Sequence, residues 1–254
     1  LIGVVLACIC AALICPVCLA QSGDAKGSSP RSVDIIHLSG GDSGYPTPFM
    51  HYPRGPGIYK MNLIFDCLIE RDDKGLIPWL AESWDISSDG KEYTFHLRDD
   101  VNWADGEPFT AEDVRFTIEY EKEHSPASAY DLSLVSDMKV IDEHTIKFIL
   151  SQPMAPFLDE MASVRIIPQH IWEKVDDPNA FDAPEAVIGT GPYTLEEYNK
   201  EHGTYRFAAK EDFWGPTPRV KSIEFVPVSD ATVAFQQSAI DFVGLSADLV
   251  DMFK

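Results

Sequence analysis

Between Lys91 and Phe116 the apolar periodicity of the chain changes once, and that change limits the folds open to it. Tyr93, Phe95 and Leu97 alternate with Thr94, His96 and Arg98, the two-residue period of a strand with one buried face. Behind it, "WADGEPFTAEDVRF", Trp103 to Phe116, packs a turn and a helix start together. Asp105-Gly106 and Glu107-Pro108 make the turn, because glycine tolerates positive φ and proline disfavours helix in the residue before it. Thr110 stands one residue before the helix with Asp113 three further on, a variant capping box. Glu112 and Asp113 meet the positive end of the helix dipole. Val114 and Ile118, four apart, can face the core.

The same carboxylates could be read as an acid/base site or a metal cage. General acid/base work needs carboxyl groups held opposite one another across a pocket with shifted pKa values. Here all but Asp105 and Glu107 have a structural task, and those two occupy a tight turn, where polar residues are ordinary. The stretch reads as architecture.

Strand and helix signals interleave through the rest of the chain, which makes the class mixed α/β. "VDIIHLSGG" is a short strand running into an irregular Gly- and Pro-rich loop, "GGDSGYPTPFMHYPRGPG". Met61, Ile64, Phe65 and Leu68 in "IYKMNLIFDCLIERD" have helical spacing. "AESWDISSDGKEYTFHLRDD" holds two strands about a Ser-Asp-Gly turn, and "MKVIDEHTIKFILSQP" is a hairpin turning at Asp142-Glu143-His144. "PFLDEMA" and "PQHIWEKV" are short helices. "VIGTGPYTLEEYN" is a strand entering a glycine turn, followed by the strand "TYRFAAKEDFWG". "VKSIEFVPVSDATVAFQQSAIDFVGL" reads as strand, helix from the cap Asp230, and strand again.

The chain has 254 residues, enough for one large domain or two ordinary ones, and a formal charge of −21. That charge argues against nucleic acid as a partner, since phosphate binding rests on Lys and Arg, and against an anionic membrane surface. Residues 1–20 form an apolar leader ending in "CLA" before Gln21, the small-residue ending of a signal peptide, and the polar spacer 21–32 follows. Export is expected, with the product either free or anchored at the outer face of the cell membrane. Four of the five cysteines lie in the leader, including the C-x-x-C of Cys15 and Cys18. With no second ligand pair they read as small apolar filler, and the residues before Cys15 fit a lipidation site poorly. The mature chain keeps only Cys67 and has no disulfide framework of its own.

Two motifs mimic enzymes. "GDSG" at Gly41–Gly44 echoes a serine-protease nucleophile, but no histidine has the flanking sequence of a partner base. "GTGPY" at Gly189–Tyr193 lacks the Lys-Ser/Thr of a phosphate cradle, so backbone permissiveness is the simpler reason for its glycines. The seven histidines show no paired spacing suited to zinc. His51 stands apart because it lies in the aromatic loop, where a nickel chelate could use it.

In order along the chain, "LAESWDISSDGKEYTFHLRDDVNWADGEPFTAEDVRF", "IIPQHI", "IGTGPY", "DFWG" and "IEFVPVSDATVAFQQSAIDFV" resemble the family 5 extracellular solute-binding proteins, the dipeptide, oligopeptide and nickel receptors of ABC importers. The resemblance runs from about Leu80 to Val243 and more loosely back to Val33. It implies an α/β, periplasmic-binding-protein-like lobe of the type II, dipeptide-receptor class, carrying an inserted mixed α/β domain. On that analogy 33–52 and 187–254 form the first lobe and 53–186 the inserted domain, with the second lobe missing from this chain. It further implies a monomeric periplasmic or extracellular receptor without cofactor or catalytic residues, which hands a peptide or similar small polar ligand to an ABC permease in the membrane. A receptor of the same fold for a nickel chelate or sugar is the second reading, and a secreted hydrolase using Asp105, Glu107 or Ser43 the third. The family often carries Gly where Ser238 or Ala239 stands. The loop Gly44–Pro56 is longer and richer in aromatics than a dipeptide receptor calls for, and its Tyr45, Phe49, His51, Tyr52 and Arg54 are the ligand-binding candidates. Mass spectrometry of the secreted product is expected to find Gln21 at its N-terminus; an intact leader on a soluble cytoplasmic protein would refute export.

Overall fold

A computed structural model describes residues 32–52, 56–124 and 130–244; the leader and Arg54 lie outside the described residues. The first sheet has the order β1-β10-β9-β8, formed by β1 (Val33–Ser39), β8 (Tyr193–Asn199), β9 (Thr204–Ala209) and β10 (Val220–Val226). Strands β1 and β10 are parallel, with Ile36 opposite Ile223 and Leu38 opposite Phe225, and the other pairs are antiparallel. Between β1 and β8 in sequence come α1 (Pro56–Asn62), the hairpin β2 (Ile69–Asp72) and β3 (Gly75–Pro78), and a second four-stranded sheet.

That second sheet is antiparallel throughout, in the order β4-β5-β7-β6. Its strands are β4 (Ala81–Ile86), β5 (Glu92–Leu97), β6 (Val135–Asp142) and β7 (Thr145–Leu150). Tyr93, Phe95 and Leu97 are buried on one face of β5, as the alternation requires, and Phe95 meets Phe148 of β7 edge to face at 5.6 Å. Helix α2 (Ala111–His124) packs Val114 and Ile118 into the core of this sheet together with Phe157 of α3 (Phe157–Met161). A separate core lies under the first sheet, built by Leu38, Phe207 and Phe225 with Trp172 of α4 (Gln169–Trp172) and Tyr120 from the far end of α2.

Two expectations need correction. The helix expected to run to Leu68 ends at Asn62, and Ile69–Asp72 is strand. Leu63 through Ile69 are all buried, so their spacing carries no period, and a short apolar run of this kind cannot be told from a helix by pattern. Their carbonyls are taken from outside. Leu63 O accepts from Tyr193 N at 2.9 Å, Ile64 O from Gly191 N at 2.8 Å, Asp66 O from Ile166 N at 3.0 Å and Leu68 O from Ala81 N at 2.9 Å. The second correction concerns "IDFV", which forms no strand among the described residues. Asp241 N donates to His37 O, but Asp241 Oδ2 takes the His37 N–H at 2.7 Å, so a side chain occupies the donor that a ladder would use.

The glycines of "GTGPY" serve close approach and not unusual φ. A Cβ on Gly189 would lie 2.0 Å from Ile64 O, and one on Gly191 2.6 Å from it. Near Ser238 and Ala239, where the family often carries Gly, α5 (Ala231–Gln236) starts from the Asp230 cap, whose Oδ1 accepts Val233 N at 3.0 Å. It ends in a Schellman motif: Ala239 N donates to Ala234 O and Ser238 N to Phe235 O, with Ser238 at φ 57°. A left-handed conformation strains an L-residue, whereas glycine adopts it freely. Ser238→Gly is therefore expected to raise stability by about 0.5–1 kcal/mol, part of the relief being lost to the greater freedom of the unfolded glycine. The check is the urea midpoint at unchanged slope; a lower midpoint would show that the serine side chain contributes more than its backbone costs.

Candidate functional site

The acidic turn holds the second sheet's helix in place. Trp103 N donates to Glu107 O at 2.8 Å and Phe109 N to Val101 O at 3.0 Å, closing the turn over Gly106. Asp113 reaches back so that its Oδ2 accepts Thr110 N at 2.9 Å, the reciprocal half of a capping box. Its Oδ1 accepts Gln169 N at 2.9 Å, which ties α2 to α4. Burial raises the Asp113 carboxyl above its ordinary pKa, while these N–H donors pull the other way. Glu112 pairs with Arg115, and Asp105 Oδ2 lies 2.8 Å from His170 Nε2, a contact across 65 positions that spacing along the chain does not reveal. Asp105, Glu112 and Asp113 thus bond to groups of the scaffold, and Glu107 is exposed.

The loop Gly40–Tyr52 leaves the carboxyl end of β1, the end at which open α/β sheets carry ligands. Gly44 turns it at φ +88°, where a Cβ would strike Met50 O at 2.3 Å. Of the candidate residues, Tyr45 is half-buried and lines an open hollow of about 550 Å³ with Met50, Asp182, Glu197, Tyr198 and Lys200. Its ring meets Tyr198 edge to face at 5.7 Å. Tyr52 is 60% exposed. Phe49, 5% exposed, points inward and packs on Trp172 and Tyr120. His51, 1% exposed, has Nδ1 at 2.9 Å from Gly44 O and Nε2 at 2.7 Å from Gly57 O. Burial, helped by the nearby Lys60 charge, holds its pKa down at about 4 against the two carbonyls, which favour the protonated ring.

Beneath the loop lies a polar cluster that pattern reading missed. Asp42 Oδ1 accepts from Tyr198 OH at 2.7 Å and Gly44 N at 3.0 Å, with Tyr205 OH at 3.1 Å. Burial alone would raise the Asp42 carboxyl, but these bonds outweigh it and hold it below its ordinary pKa. Tyr205 OH also accepts Ser43 N at 2.8 Å. Fully buried Lys60 donates from Nζ to Gly41 O at 2.7 Å and to Ser43 Oγ at 3.3 Å. Its one sequence signal is spacing: Lys60 lies three residues after Gly57, on the same face of α1.

The Ser43–Lys60 contact places a hydroxyl 3.3 Å from a buried amine. A lysine acts as a base through a free lone pair. Burial lowers the Lys60 pKa to about 8, and Gly41 O and Ser43 Oγ accept from its ammonium. His51, the nearest imidazole in the loop, has both nitrogens against carbonyls. Among the described residues no cluster of His, Cys, Asp and Glu could hold a metal ion, and no helix is long and apolar enough to cross a membrane. The thiol of Cys67 is buried and pushed up to about 12, far from reactive.

A sheet led by the parallel pair β1–β10, with an antiparallel domain inserted after β1, defines a lobe of the type II periplasmic binding-protein fold. The chain belongs to the bacterial extracellular solute-binding proteins, family 5, whose family model matches residues 75–254. It is 33% identical over 184 residues to the dipeptide-binding protein of Escherichia coli K12, covering 63% of this chain and 34% of that protein. It is also 33% identical over 208 residues to the nickel-binding periplasmic protein of the same strain, covering 75% and 38%. Campylobacter jejuni NikZ, solved with Ni(L-His), superposes with a TM-score of 0.71 at 27% identity, over 89% of this chain and 45% of that one. The chain thus spans between 34% and 45% of the length of these relatives.

Because Asp105 is engaged with His170 and the Glu107 carboxylate is exposed, Asp105→Asn with Glu107→Gln is expected to leave ligand affinity of the full-length protein within a few-fold of wild type. Calorimetric titration checks this. A loss beyond tenfold, about 1.4 kcal/mol, with the fold intact would make the turn a binding element.

Proposed function

We propose that the full-length protein is an exported, monomeric receptor that delivers a peptide or similar small polar solute to the permease of an ABC importer, and that it is not an enzyme. The observation that carries this reading is the aromatic loop at the carboxyl end of β1, fastened from below and bordering an open hollow between Tyr45 and Tyr198. The names of the relatives, dipeptide-binding and nickel-binding, support the class of cargo. For this wall we favour a peptide over a nickel chelate, because His51, the one imidazole of the loop, is turned inward between two carbonyls.

In this reading 33–52 and 187–254 form the first lobe and 53–186 the inserted domain. The insert lends Leu63, Ile64, Phe65, Tyr120, Ile167 and Trp172 to the lobe's core. Tyr45, Tyr52 and Arg54 touch ligand, and Phe49 and His51 hold the loop from within. Arg54 grips an anionic group of the ligand through two parallel hydrogen bonds.

Titration of the full-length protein with dipeptides and tripeptides, nickel with histidine, and sugars, followed by tryptophan fluorescence, tests the cargo. In the same protein Arg54→Ala is expected to cost about 1.5–3 kcal/mol of peptide affinity, and Arg54→Lys to recover only part of it, since an ammonium cannot reproduce the planar fork. Equal affinities for all three proteins would confine the loop to packing, and turnover of a substrate that vanished in Asp105→Ala or Ser43→Ala would overturn the receptor reading.

A further inference from the structure

We propose that Lys60 is a positioning residue: its buried ammonium locks the loop Gly40–Tyr52 to the sheet, so that the loop is a finished wall before any ligand arrives. The side chain is 0% exposed and sits on the buried face of α1 that also carries Gly57 and Met61, where an apolar residue would satisfy the core. Burying a charge costs several kcal/mol unless it finds partners. The partners of Lys60 come from the loop and from the sheet. Nζ donates to Gly41 O at 2.7 Å and to Ser43 Oγ at 3.3 Å, and it lies 3.8 Å from the centroid of the Tyr205 ring and 5.2 Å from that of Phe225. One ammonium therefore joins two loop residues to the aromatic faces of β9 and β10.

The groups around it continue the fastening. The Tyr205 hydroxyl takes Ser43 N at 2.8 Å and lies 2.8 Å from Gly44 O. Tyr52 N closes the loop on Ser43 O at 2.7 Å. His51 stands between Gly44 O and Gly57 O, the latter one turn before Lys60 on the same helix, and its single N–H donates to one of the two. Asp42, the nearest carboxylate, is held by the two tyrosine hydroxyls and has no direct bond to the ammonium. Burial depresses the Lys60 pKa to about 8, so the fold as a whole resists the charge, and what the charge secures is local. A wall ordered in advance spares the ligand the entropy of ordering it.

The test compares the full-length wild type with Lys60→Met, which keeps the bulk and removes the charge. Hydrogen exchange of the Ser43 and Tyr52 amides is expected to speed up at least tenfold, while the amides of Phe207 and Ile223 in the sheet and the urea midpoint stay near wild type. Affinity for the tripeptide Ala-Ala-Ala should fall at least fivefold, an arm that rests on the receptor reading. Lys60→Leu, a second uncharged side chain in the same buried place, should loosen the same two amides and serves if Lys60→Met does not fold. Unchanged loop exchange in the variant that folds overturns the proposal. So does acceleration spread equally over β9 and β10 with a lowered midpoint, which is the mark of a merely structural lysine. If the tripeptide binds no protein, wild type included, the peptide reading fails, and the exchange arm still decides the role of Lys60.

Discussion

The segment Leu63–Ile69 is where the chain passes from one core to the other, and the rest of the molecule is hung on its carbonyls. Leu63, Ile64 and Phe65 belong to the core under the first sheet, Leu68 and Ile69 to the core of the second. A buried carbonyl without a donor is costly, so each must be met from outside. The donors come from the start of β8, from the chain just before α4 and from the start of β4. Glycines 189 and 191 follow from this, because only a residue without Cβ can come so close to Ile64 O.

The same crossing is tied by side chains. The buried Asp66 carboxylate accepts Trp79 Nε1 at 2.8 Å and Thr190 Oγ1 at 2.9 Å, and burial lifts its pKa to about 6. Trp214 Nε1 donates to Thr190 O at 3.2 Å, and the Trp79 and Trp214 rings meet edge to face at 5.1 Å. An indole from β3's end and another from beyond β9 thus converge on one carboxylate and one threonine. With the two cores held in this way, the loop after β1 has a fixed floor. Lys60 and the Tyr205 hydroxyl fasten it to that floor. An acidic surface does not alter this arrangement, because the charges that matter are the few buried ones with named partners.

Wherever one rule acted over a few neighbouring residues, the fold could be read without coordinates. The alternation in β5, the Thr110–Asp113 cap of α2 and the Asp230 cap of α5 are of this kind. So were the turn and cap of the acidic stretch, since its residues bond mainly within ten positions. The reading failed at Leu63–Ile69 and at "IDFV". In the first, burial on all sides erased the period; in the second, the Asp241 side chain took the donor a strand would have needed.

The candidate loop divides along the same line. Its place after β1, its aromatic content and its family were all legible in the sequence, because they depend on residue types in order. Which aromatic rings face out was decided by tertiary structure. Phe49 turned inward because Trp172 and Tyr120 offer it a partner, and His51 because a carbonyl of Gly44 or Gly57 takes its ring N–H. Tyr205 and Lys60 meet under the loop from positions 145 residues apart. Local order determined the elements and the class of the protein; hydrogen-bond partners and buried charge pairings join residues distant in sequence, and only the packed chain brings them within reach.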